Sequence, residues 1–267
     1  YKRGVEDAYK TAEVQIEQKY HLPVETHNPM ELHGIIADWR PNNQVTVYAK
    51  TQGVKATQGT IANVFKIPIE NIQVNSEFVG GGFGMALRTW PLEIATVMAS
   101  KHISKPVKLM VTRMQMFTMV GNRPAAVQTI GLGANKDGKL TGITHRAFGE
   151  TSVYENFTEG VVNMAKFMYQ CDNVNTQYTV VPVDLSVPIW MRGPGEATGA
   201  FALESAIDEM AHALNMDPLE FRMRNDPEQD PQKKLPFSSK NIKEAYKLGA
   251  AKIGWSDRKN KPGSNKE

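Results

Sequence analysis

The stretch GGGFGMALRTWP, residues 80–91, places four glycines in five positions ahead of an apolar run that reads as the approach to a helix. Glycine inside regular structure costs about 0.5–1 kcal/mol relative to alanine, so such a cluster serves backbone angles or close approaches that other residues forbid. Ile72 and Val74 alternate with polar neighbours and predict a strand leading directly into the run. Pro91 suits a first helical turn, and Leu92, Ala95, Met98 and Ala99 recur at helical steps. No Gly-Lys-Ser/Thr follows, which excludes a nucleotide P-loop, and the spacing misses the dinucleotide fingerprint. Backbone N–H groups turned outward at such a passage suit an oxyanion, a phosphate or a terminal oxo group. On this run alone, a tight turn packed on a neighbouring strand is the simpler account.

A second cluster shifts that balance. WMRGPGEATG (190–199) also follows an extended segment and also opens a helix, through Phe201, Glu204, Ile207, Ala211 and Leu214. Here Arg192 stands beside the glycines, and a guanidinium next to free backbone donors is an anion-binding combination. Glu196 enters the first turn of that helix, where its simplest role is capping. Lys50-Thr51-Gln52-Gly53 is a third strand end that presents an amide beside a glycine.

Around these turns the 267-residue chain has 41% apolar and 22% charged residues, the profile of a globular protein. No apolar run approaches the ~18 residues of a membrane helix, and no secretory signal is evident. The net charge of +3 is too small to argue for nucleic acid, and much of it falls in a basic polar tail at 256–267. A single cysteine, Cys171, excludes an internal disulfide or a cysteine-built cluster within this chain and reads as a buried, idle thiol. Strands are expected at 12–16, 45–49, 107–113, 127–134 and 140–148, the last two joined by a hairpin at Asp137-Gly138. Asp217-Pro218 predicts a capped helix, and Ser238 or Ser239 predicts the start of another running to Gly249. Meandering strands with interspersed helices give an α+β fold of mixed sheets. The stretch 225–236 is the weakest point along the chain. His27 and Glu31 are expected to make structural hydrogen bonds, and the methionines to fill core.

The segments HNPMELHGIIADW (27–39), TQGVKATQ (51–58), GGGFG (80–84), PVKLMVTRMQMF (106–117), MRGPGEATGAFALESAIDEMA (191–211), DPLEFRMRND (217–226) and PFSSKNIKEAYKLGAAKIGW (236–255) together resemble one family in its own order. That family is the molybdenum-binding large subunit of xanthine dehydrogenases and aldehyde oxidases, most similar in its bacterial, separate-polypeptide branch. The resemblance implies a molybdopterin-binding region over 1–255, taken as the middle part of a longer subunit. It implies the molybdopterin cytosine dinucleotide with molybdenum as cofactor, held without direct protein ligands to the metal. Gln52 would bond a terminal oxygen of the metal, and Phe83 and Gly84 would face it with Gly81 and Gly82 beside them. The Phe83 ring would wall the substrate pocket, and Arg192 and Gly193 would approach the pterin.

The implied reaction is hydroxylation of an aldehyde or an N-heteroaromatic carbon with oxygen from water, a glutamate acting as base. No stretch here matches that glutamate's motif, so no catalytic residue is assigned within the chain and the isolated segment is expected to be inactive. Partners implied are the remainder of the large subunit, 2Fe–2S and FAD subunits, and a small aldehyde or heteroaromatic substrate. The compartment, bacterial cytoplasm or periplasm, is left open. Leu87 stands near a place where xanthine-oxidising relatives carry a carboxylate, which points away from purine. The alternative reading is a scaffold that keeps the fold without the chemistry.

Overall fold

Two mixed sheets organise the computed structural model, which describes residues 1–258; of the tail expected at 256–267, residues 259–267 lie outside the described residues. In chain order the strands and helices begin with β1 (Lys2–Arg3), β2 (Val14–Leu22), β3 (Gly34–Arg40), β4 (Gln44–Ala49) and α1 (Val54–Phe65). They continue through β5 (Ile72–Asn75), α2 (Pro91–Ile103), β6 (Val107–Met110) and the single turn α3 (Arg113–Met116). The rest are β7 (Ala126–Ala134), β8 (Leu140–Ser152), β9 (Val174–Val183), α4 (Glu196–Ala213), α5 (Pro218–Arg224) and α6 (Ile242–Lys252). This is the α+β arrangement that the sequence predicts.

The smaller sheet has the order β5-β4-β3-β6. Its one parallel pair, β4 with β5, requires a crossover, and α1 supplies it. Alternation along β3 and β4 turns Ile35, Ala37, Val45 and Val47 to one face, where Ile61 of α1 and Val97 of α2 close a core. The larger sheet has the order β1-β9-β8-β7-β2. Asp137-Gly138 forms the turn of the β7/β8 hairpin, with φ +77° at Gly138. Ile130, Leu132, Ile143 and Val174 pack there against Leu203, Ile207 and Met210 of α4 and Phe221 of α5. Truncating any one of these buried large side chains to alanine would cost about 2–5 kcal/mol.

Several local expectations shift. The strand expected at 12–16 begins at Val14 and runs to Leu22, because pairing with all nine residues of β7 extends it. Asp217 caps α5 as expected, its carboxylate accepting from Leu219 and Glu220 N–H. The last helix starts later, after Asn241, and neither serine caps it. The methionines divide: Met85, Met116 and Met210 are buried, whereas Met30, Met98, Met110, Met114 and Met119 are exposed. Cys171 is buried, and burial pushes its thiol up to about 11. Among the described residues no helix is long and apolar enough to cross a membrane.

Candidate functional site

The strand-end turns converge on one cavity of about 930 Å³, lined by Gln52, Gly81, Gly82, Phe83, Gly84 and Arg192 with Val79, Leu87, Trp190, Met191 and Pro194. Ligand pockets are commonly ~300–1,000 Å³. Of the residues singled out from sequence, only Gly193 stands off the wall; it provides the bend behind Arg192 instead, at φ +72°. A smaller, largely apolar cavity lies between α4, α5 and α6 and gathers none of them.

Gln52 sits in the irregular link between β4 and α1. Its N–H donates to Ala86 O at 2.8 Å, which fixes the main chain. Its side-chain Oε1 accepts the Gly84 N–H at 2.9 Å. That bond orients the amide, because the oxygen is committed to Gly84 and the NH₂ group is left without an acceptor among the described residues. Gly82 carries no Cβ because one would fall on this same Gln52 side chain. The glycines therefore answer first to close approach by other protein groups: Gly82 to Gln52, Gly84 to the Trp190 carbonyl, and Gly80 to Glu31.

The run does not flow directly from strand to helix as the sequence suggests. Irregular backbone separates β5 from it, and a 3-10 turn, Met85–Leu87, separates it from α2. The N-terminal end of α2 is thus spent on its own cap, where Glu93 accepts the Trp90 N–H at 2.7 Å. Within the run, Phe83 occupies the left-handed region at φ 54°. That conformation costs an ordinary side chain roughly 1–2 kcal/mol and is found where surrounding structure enforces it. The enforcing contact is visible: Phe83 O accepts the Arg192 N–H at 3.0 Å, tying the two glycine turns together. The N–H groups of Gly81, Gly82 and Phe83 donate to no acceptor among the described residues.

Arg192 is exposed and makes no ion pair or side-chain hydrogen bond among the described residues. Glu196 does not cap α4. The donor at that helix start, Gly195 N–H, goes at 2.9 Å to Glu159, a buried carboxylate from the loop between β8 and β9. Burial raises the Glu159 pKa, the Gly195 hydrogen bond and Arg123 opposing it. Nothing in the sequence around Glu159 signals this role, since 36 residues separate it from Gly195. His27 and Glu31 do make structural bonds. The His27 ring Nε2 meets Trp190 O at 2.7 Å, and Glu31 accepts the Gly80 N–H at 2.6 Å.

The cavity wall thus combines an oriented amide, a row of free backbone N–H groups and an unpaired guanidinium, with no carboxylate among the lining residues. Such a donor set is matched to an electron-rich, oxygen-bearing group carrying negative charge. Among the described residues no group of three or more His, Cys, Asp or Glu is placed to hold a metal ion. The wall fits a metal–oxo group carried by a ligand of its own.

The family model for the molybdopterin cofactor-binding domain matches residues 1–226. The aldehyde oxidoreductase molybdenum-binding subunit PaoC of Escherichia coli (strain K12) is 34% identical over 257 residues, covering 96% of this chain and 35% of that protein. A putative xanthine dehydrogenase molybdenum-binding subunit, XdhA, of the same strain is 29% identical, covering 83% of this chain and 30% of its own length. The chain therefore spans about a third of these curated relatives. Among solved structures, quinoline 2-oxidoreductase from Pseudomonas putida 86 superposes with a TM-score of 0.89 at 20% identity, over 95% of this chain and 34% of that one. Aldehyde oxidoreductase from Desulfovibrio gigas gives 0.84 at 20% identity, over 97% and 30%. These likenesses show the fold.

Proposed function

The chain belongs to the molybdopterin cofactor-binding domain family, and from that premise we propose that residues 1–255 form one side of the active site of a molybdenum hydroxylase acting on aldehydes or N-heteroaromatic compounds. The observation that carries this reading is the convergence on one cavity of Gln52, Gly81, Gly82, Phe83 and Arg192, whose side-chain amide NH₂, three backbone N–H groups and guanidinium have no acceptor among the described residues. When bound, the molybdenum cofactor supplies the two-electron oxidation of a substrate carbon with oxygen from water. The chain's own contribution is positioning. The Gln52 NH₂ group, aimed by the Gly84 N–H, would donate to a terminal oxygen of the cofactor, and the Gly81, Gly82 and Phe83 N–H groups would add donors on the same wall. Arg192, carried on the bend at Gly193, would place its positive charge against the pterin.

Phe83, Leu87 and Trp190, each exposed to the cavity, make its substrate-facing part apolar. Leu87 there, with no carboxylate in the lining, favours an aldehyde or an apolar aromatic ring over a purine. The catalytic base is assigned to the part of the subunit that this chain does not include, and the segment alone is inactive. The cofactor is assigned as the cytosine dinucleotide form, with electrons leaving through 2Fe–2S and FAD subunits. A scaffold that had lost the chemistry would have no use for an amide and a guanidinium held free in one cavity. The test is molybdenum and pterin per chain in the natural complex captured through this polypeptide. Near one of each is expected; neither, in a complex holding the whole subunit, rejects the proposal.

A further inference from the structure

We propose that His27 and Arg123 are positioning residues for Arg192, acting through the main chain of the turn that carries it. The inference rests on the reading of Arg192 as a cofactor-binding side chain. The turn is gripped from outside on its carbonyls. His27 Nε2–H donates to Trp190 O at 2.7 Å, and Arg123 Nη2 donates to Arg192 O at 2.7 Å. Neither partner is itself loose. Arg123 is paired through Nη1 with Glu25 at 2.7 Å, and the Glu25 and Arg123 main chains bridge each other across two strand ends. His27 and Arg123 are both more than nine-tenths buried.

The imidazole is committed to one tautomer. Trp190 O can only accept, so the proton sits on Nε2, and the buried Nδ1 has no partner among the described residues. A second proton there would be buried unpaired beside Lys50 and Arg123, and burial accordingly lowers the His27 pKa. The ring is therefore a fixed neutral donor. With carbonyls 190 and 192 held, and the Arg192 N–H given to Phe83 O, the backbone on either side of the Arg192 Cα has no free rotation. What remains mobile is the guanidinium, over the cavity. Holding the main chain of a long side chain lowers the entropy lost when its head group binds.

The test is a double-mutant cycle in the complete natural complex, read as the rate of pterin loss on dialysis, with molybdenum content and Tm alongside. His27→Leu is expected to speed pterin loss by roughly fivefold, the worth of one buried hydrogen bond. His27→Gln, which keeps an N–H donor, is expected to restore retention. In an Arg192→Ala background, His27→Leu is expected to add nothing, because its effect passes through Arg192. An equal further loss in that background overturns the proposal and leaves only a general packing role. Fast loss from Arg192→Ala with none from His27→Leu also overturns it, while the reading of Arg192 stands. Unchanged retention in Arg192→Ala overturns that underlying reading itself. Should the His27→Leu chain fail to accumulate, Arg123→Lys, which keeps the charge beside Glu25 and drops the bond to Arg192 O, runs the same cycle.

Discussion

The two glycine turns look alike in sequence and are built on opposite plans. The turn at 80–84 is an open one. Its glycines admit neighbouring protein groups, three of its N–H groups in a row go unused, and its one strained residue, Phe83, is held by a single long-range bond. The turn at 190–195 is closed. Its carbonyls and its helix-entering N–H are taken by His27, Arg123 and Glu159, from three distant segments. An open turn leaves backbone for a ligand; a closed turn presents a side chain from a rigid base. Each also precedes a helix whose start is satisfied by a buried glutamate. Glu93 lies within α2 itself, whereas Glu159 reaches α4 from another loop.

Substitution of the glycines breaks this contrast most sharply. Gly84 has φ +105°, and a Cβ there would overlap the Trp190 carbonyl, which is backbone and cannot move aside. Gly84→Ala is expected to cost more than about 4 kcal/mol, seen as loss of soluble chain or a collapse of Tm. A variant with near-native Tm would show that the two turns are not in contact.

Next in size is the pH dependence set by Glu93. Burial raises its pKa from 4.5 to about 7, the Trp90 N–H and Lys50 opposing. The native state then keeps a proton that the unfolded chain has released, so the Glu93 contribution to stability is full below pH 4.5, falls as pH rises toward 7 and is level above. At its fullest the loss is roughly 3 kcal/mol. Glu93→Gln keeps the acceptor for Trp90 N–H and is expected to flatten the difference in Tm between pH 5 and pH 8. An unaltered slope would move the effect elsewhere, with Glu159, raised by the same cause, as the next group to replace.

The smallest expected effect falls on Gly193. Its φ is +72°, but a Cβ there would meet only Ala197, its Cβ at 3.5 Å and its N at 3.6 Å, both ordinary contacts. Gly193→Ala is expected to lose only the left-handed penalty, about 1–2 kcal/mol in denaturant unfolding. A loss as large as that from Gly84→Ala would mean the bend behind Arg192 is as crowded as the open turn.

Local chemistry was legible in the sequence where it acts over short range. Pro91, Asp137-Gly138 and Asp217-Pro218 each mark the element that forms there, because a ring, a left-handed glycine or a side-chain cap works within a few residues. Gln52, the glycine run and Arg192 could be nominated from their motifs, and the structure brings them to one wall. What was not legible depends on partners far along the chain. The full length of β2 comes from β7, the cap of α4 from Glu159, and the hold on Trp190 O from His27, 163 residues away. No periodicity encodes such pairings, since they arise only when the sheets have formed.

The contact between Gly84 and the Trp190 carbonyl also limits what mutation of the gene can explore. Every missense change at Gly84 introduces a Cβ, so none leads to a neutral neighbour, whatever the chemistry of the new side chain. Gly59, in α1 with nothing near its missing Cβ, lies at the other extreme and is open to drift. Descendants of this chain can therefore vary position 59 freely, while the seam between the two turns is inherited unchanged or lost together with the fold.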